Sequence, residues 1–206
     1  GGSRNECPRP LVHCVRAQAR PYLDGRLDDE GWKTAHAMLL TDEANAKGEP
    51  AAIVKFARDD EFLYLAASCH RAKSVGYPST DEPRQRDADL SRQDRVEFWL
   101  DINRDWSTRY RLVIDHRGWT AESVDGDRLR QLARWNPTWF AAAAGDEQTW
   151  NVEAAVLLKD LAELKHDAQA WAVNVRRITP GVAVASWSQA TGSDHGQAIG
   201  TFIVAP

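Results

Sequence analysis

Apolar and polar side chains alternate with a period of two in several separate stretches of the chain. That period belongs to half-buried β-strands, whose successive side chains leave opposite faces. In residues 95–101, Val96, Phe98 and Leu100 point one way, and Glu97 and Trp99 the other. In residues 109–115, Tyr110, Leu112 and Ile114 oppose Arg111 and Val113. Residues 170–178 repeat the pattern, with Trp171, Val173 and Val175 against Asn174 and Arg176. Residues 138–144 and 149–156, the second carrying Val152 and Ala154 inward, read as a pair around Gly145–Gln148.

The apolar runs 51–57 and 62–68 flank Arg58-Asp59-Asp60-Glu61 and predict a hairpin. His116-Arg117-Gly118 turns the chain into a strand from Trp119 to Val124, and residues 183–188 and 199–204 supply two more. Helix is sparse: a turn opened by Asp28-Asp29-Glu30 that carries Trp32, a short segment at 127–134, and one or two turns from Leu157 to Leu164. Residues 73–94, rich in Pro, Asp and Arg, form a long loop of the kind that often carries function. Nine or ten strands with short connections and no βαβ alternation predict an all-β fold, an antiparallel two-sheet sandwich. No repeat or linker divides it. Residues 1–20 read as a tail or edge segment, and 21–206 as one domain.

Composition narrows the function. The 206 residues are 43% hydrophobic and 27% charged, enough apolar material for a core and unlike a disordered chain. A net charge of −4 argues against a general nucleic-acid binder. No apolar run is long enough to span a bilayer. Gly1-Gly2-Ser3 reads as a tag scar or linker, and no charged, apolar and small-residue signal pattern is visible at the start, which does not settle the compartment. Nine Trp outnumber both Phe and Tyr. Trp offers a large apolar face with a polar N–H, suited to a core and equally to stacking on sugar rings. Trp32, Trp150 and Trp171 read as core. Cys7 and Cys14 could close a small loop in an oxidising compartment or remain free thiols, and Cys69 reads as a buried small hydrophobe.

Glu97, Arg111, Glu153, Asn174 and Arg176 all oppose the apolar residues of their strands. Planar polar groups beside an apolar platform such as Trp99 or Trp187 suit vicinal sugar hydroxyls. The same set also suits ordinary cross-strand ion pairs on a solvated face. Asp101, Asn103 and Asp105 place oxygens at alternate positions, as Ca²⁺ prefers, or form a turn of local Asx bonds. No nucleophile elbow, P-loop, Rossmann glycine pattern or metalloprotease helix occurs, so nothing supports catalysis, although the chain could be a module attached to an enzyme.

Seven segments in order resemble the family 9 carbohydrate-binding modules and their DOMON-like relatives. Asp24 to Trp32 resembles the DGxLDExxW opening, and Asp59 to Tyr64 the following hairpin. Asp94 to Asp101 resembles DxVExxxD, and Tyr110 with Gly118 the next hairpin. Trp150 to Val156 resembles WxVExAI, while Trp171 to Arg177 and Ser186-Trp187-Ser188 resemble the C-terminal WxxNxxR and sWs pair. The resemblance covers residues 21–204 and implies an immunoglobulin-like sandwich that binds sugars without catalysis, often with structural calcium. It implies an extracytoplasmic setting, an oligosaccharide or polysaccharide partner, and parent polypeptide domains tethered to a glycan. Glu97 falls on the family's strand Glu and Trp187 on its C-terminal Trp. The Trp that usually precedes DxVE is replaced by Leu90-Ser91-Arg92-Gln93; Trp106, Trp135 and Trp139 are candidate substitutes. Two alternatives accompany this reading. One is a haem-binding electron-transfer domain, as in DOMON-like relatives, with Met38 and His70 the imaginable ligands. The other is a structural or interaction sandwich without a sugar site.

Overall fold

A computed structural model describes residues 10–42, 44, 47–78, 81–104, 108–126, 135–161, 170–188 and 200–204. Within them run β1 (Leu11–Arg16), α1 (Glu30–Lys33), β2 (Ala37–Asp42), β3 (Ala52–Arg58), β4 (Phe62–His70), β5 (Arg95–Asp101) and β6 (Thr108–Asp115). After these come β7 (Thr120–Gly126), β8 (Trp139–Gly145), β9 (Thr149–Leu157), β10 (Ala170–Thr179), β11 (Ala183–Ser186) and β12 (Gly200–Val204), with one 3₁₀ turn at Leu158–Asp160. The strand segments follow the alternation closely. The segment 127–134 lies outside the described residues. Among the described residues no helix is long and apolar enough to cross a membrane.

The strands form a two-layer, almost wholly antiparallel sandwich. One layer runs β7-β6-β5-β10 and the other β2-β3-β4-β9-β8. The two are joined along one side, which makes the sandwich nearly a barrel. The joint arises because β10 divides its free edge: residues 170–173 pair with β12, and residues 176–179 with β11. From there β11 pairs with β2, while β12 pairs with β1, which reaches β3.

This arrangement places residues 11–16 inside the fold. β1 runs parallel to strands on both its sides and buries Val12 and Cys14. Cys14 is a free thiol, and burial pushes its pKa up to about 12; Cys7 lies outside the described residues. Residues 37–42 form a strand that the sequence reading did not assign, with Met38 and Leu40 inward.

Val96, Phe98, Leu100, Tyr110, Leu112, Ile114, Val152, Ala154, Val173 and Val175 all lie in the core between the layers. Phe56 and Phe98 meet across it edge to face, with ring centroids 5.8 Å apart. Each such large side chain contributes roughly 1.5–3 kcal/mol by leaving water. Trp150 and Trp171 are buried in the same core.

A smaller apolar cluster lies on the outside of β3, β4 and β9. There Trp32 and Ala35 pack on Ala57, Tyr64, Ala66 and Ala155. Its polar anchor is Glu153, which accepts hydrogen bonds from Trp32 Nε1 (2.6 Å), the Gly25 amide (2.7 Å) and the Asp24 amide (3.0 Å). Burial raises its pKa, and these three donors work against that rise. Gly25 has φ +83°, and a Cβ there would lie 2.4 Å from the Ala144 amide nitrogen. Only glycine fits so close a left-handed approach. The opening motif and the WxVE glutamate therefore form one structural unit.

Candidate functional site

Three adjacent strands, β6, β5 and β10, bring the sequence candidates to one outward face. Trp99 stands opposite Arg111 on one side and Asn174 on the other. In the neighbouring row, Glu97 stands opposite Val113 and Arg176. Residues facing each other across a ladder share a side of the sheet, so Glu97, Trp99, Arg111, Asn174 and Arg176 are grouped by register alone.

Glu97 is buried at the centre. Its Oε1 accepts from Arg111 Nη2 at 2.5 Å and from Arg95 Nε at 2.9 Å, and its Oε2 from Arg111 Nε at 3.3 Å. Burial by itself would raise its pKa. The hydrogen bonds and charge of Arg111, then of Arg95, outweigh burial and hold the carboxyl below its ordinary range. The Arg111 guanidinium lies over the Trp99 ring, 5.3 Å from its centroid, and the Arg111 side chain is 30% exposed. Trp99 is half-buried, and its Nε1 has no hydrogen-bond partner among the described residues.

Arg95 was not singled out from the sequence, although it shares the odd-numbered face of Glu97 and Trp99. Besides Glu97 it donates through Nη1 to the carbonyls of Ser91 (3.0 Å), Leu90 (3.3 Å) and Gln93 (3.4 Å). The segment that lacks the family's upstream Trp is thus tied by Arg95 to the central carboxylate.

Asn174 works on the backbone. Its Oδ1 accepts from the amides of Val175 (2.9 Å) and Ser188 (3.1 Å), and its Nδ2 donates to Ser186 Oγ (3.1 Å) and the Ser188 carbonyl (3.3 Å). It sits where β10 changes partner from β12 to β11, and it supplies bonds the interrupted ladder does not. Trp187, by contrast, packs half-buried against the core cluster, with its amide donating to the Val175 carbonyl at 3.0 Å.

The remaining candidates fall elsewhere. Glu153 belongs to the Trp32 anchor on the other layer. Asp101 is buried at the end of β5 and Asn103 is exposed in the following turn; Asp105 and Trp106 lie outside the described residues. No cluster of three or more His, Cys, Asp or Glu placed to hold a metal occurs among the described residues. Trp135 packs against Tyr110 with the rings tilted and donates to the Asp160 carbonyl, and Trp139 is buried and donates to Glu122. Met38 points into the core, whereas His70 is exposed at the end of β4, so the two do not face one site.

The motif residues Asp94 and Arg177 form a buried pair at the head of β5. Arg177 donates to Asp94 through Nη2 (2.6 Å) and Nε (3.0 Å), and Tyr77, Trp150 and Thr179 also donate to the same carboxylate. WxxNxxR therefore contributes Arg177 to the interior and Arg176 to the outer face.

No family model matches the chain, and no curated protein does. Its fold is similar to two solved structures. One is a family 9 carbohydrate-binding module from Caldicellulosiruptor kristjanssonii in complex with cellotriose, with TM-score 0.64 and 17% identity over 95% of this chain and 93% of that one. The other is a putative carbohydrate-binding protein from Bacteroides uniformis ATCC 8492, with TM-score 0.62 and 11% identity over 96% of this chain and all of that one. At these identities the likeness establishes a fold like that of family 9 modules.

Proposed function

We propose that the chain is a non-catalytic carbohydrate-binding module that tethers a larger extracytoplasmic protein to a glycan. The observation that carries this reading is the β6–β5–β10 face, where Arg111 lies over the half-buried Trp99 and is held in place by Glu97. An apolar ring beside an oriented guanidinium is the chemistry a sugar needs. The fold shared with a module seen with cellotriose supports it. A shallow site on one Trp platform adds only about 1 kcal/mol net per contact. Affinity is therefore expected to be no better than tens of micromolar, on the order of −6 kcal/mol.

Titration against a panel of mono- and oligosaccharides tests this. Binding that Trp99→Ala abolishes in a folded protein supports it, and no binding to any glycan overturns it in favour of a structural or interaction sandwich. The full intramolecular bonding of Glu97 and Asn174 is what favours that second reading. Asp101, Asn103 and Asp105 remain the proposed calcium ligands. A melting temperature equal in EDTA and in millimolar calcium counts against them.

A further inference from the structure

The polar groups at the centre of this face differ in what they have left to offer a ligand. Both oxygens of Glu97 already accept from Arg95 and Arg111. The Asn174 Oδ1 already accepts from two backbone amides. One donor group is not used up. Arg111 gives Glu97 only its Nε and Nη2 edge, and its Nη1 has no hydrogen-bond partner among the described residues. Trp99 Nε1 also lacks a partner there, but it is buried and out of a ligand's reach.

Charge runs the same way. Two guanidiniums, Arg95 and Arg111, share the single carboxylate of Glu97. Beyond this centre the same face carries Asp101, Arg109 and Asp125, the last paired with Arg109 in register. A neutral hydroxyl both donates and accepts, whereas a carboxylate only accepts. The unused end of a guanidinium matches a planar carboxylate with two parallel N–H···O bonds.

Resting on the carbohydrate reading of this same face, we infer that it takes an acidic sugar. The carboxylate of a uronic acid sits on the Nη1 end of Arg111, and the pyranose ring lies against Trp99. Glu97 and Arg95 act as positioning residues that hold the guanidinium.

The test is titration of the full chain with cellotriose and with the β-1,4-linked trisaccharide of glucuronic acid, at low and at high salt. The glucuronate is expected to bind about tenfold tighter at low salt, a difference of about 1.4 kcal/mol. Most of that advantage is expected to vanish at high salt, because a partly exposed pair is screened. Arg111→Gln should erase the preference. The salt arm needs no variant, so a folding defect in Arg111→Gln leaves the test intact. Equal or tighter binding of cellotriose overturns the acidic-sugar inference and leaves the carbohydrate reading standing. A sulfated cellotriose that binds as tightly as the glucuronate overturns the carboxylate assignment. Failure of folded protein to bind any of these or the wider panel overturns the carbohydrate reading itself.

Discussion

Asp94 and Arg177, 83 residues apart, meet as a fully buried ion pair with Nη2 2.6 Å from Oδ2. The carboxylate is shared with Tyr77, Trp150 and Thr179, and Arg177 also donates to the Ala51 carbonyl at 2.7 Å. Removing one charge strands the other in a dry interior, which costs about 3–5 kcal/mol. Asp94→Asn is expected to lower the urea midpoint accordingly. An Asp94→Asn, Arg177→Met double variant should recover part of the loss. A single-variant loss near zero would show that the pair is not held as described.

Acid should act on this protein partly through Glu97. Its folded pKa lies below the ordinary glutamate value. The stability it contributes is therefore present above about pH 4.3 and is lost as pH falls through the lower folded value. Melting curves between pH 7 and pH 2 should show a steeper acid decline in the native protein than in Glu97→Gln.

His116 should act in a different window. Its ring lies edge to face with Tyr77 (centroids 5.1 Å apart) and Trp150 (6.4 Å), and neither nitrogen has a hydrogen-bond partner among the described residues. Burial lowers its pKa, with Arg117 and Arg71 adding to the fall and Asp115 and Asp94 opposing it. The unfolded chain then takes up a proton first as pH drops below about 6.5. Stability is expected to be greatest above that value and to fall between it and the lower folded value. Urea unfolding at pH 8 and pH 5.5 should differ more for the native protein than for His116→Phe.

Asn174→Ala leaves the Val175 and Ser188 amides without their acceptor. Each buried donor so stranded costs about 1–3 kcal/mol. The expected loss is thus roughly 2–6 kcal/mol in denaturant unfolding, with hydrogen exchange fastest at residues 174–175 and 186–188. Exchange spread evenly along β10 would contradict the role of Asn174 at the partner switch.

Gly25→Ala is expected to destabilise by roughly 1–3 kcal/mol from its left-handed backbone alone, before the contact with Ala144 is counted. A thermal scan that shows no loss would mean the opening turn can move away from β8.

Sequence alone determined most of the strands and the inward face of each. Val96, Phe98, Leu100 and their counterparts alternate with polar residues, and a pleated strand cannot bury one set without exposing the other. The alternation also placed Glu97, Trp99, Arg111, Asn174 and Arg176 opposite the core, which is a local property of each strand. It could not say which strands are neighbours. Register decided that Arg111 lies over Trp99, that Glu97 is enclosed by Arg95 and Arg111, and that Asn174 repairs a broken ladder instead of facing outward unbonded. The split edge of β10, the burial of β1 and the union of Asp94 with Arg177 depend on contacts between residues far apart in the chain. Such contacts are set by how the two layers pack, and no period within a single strand encodes them.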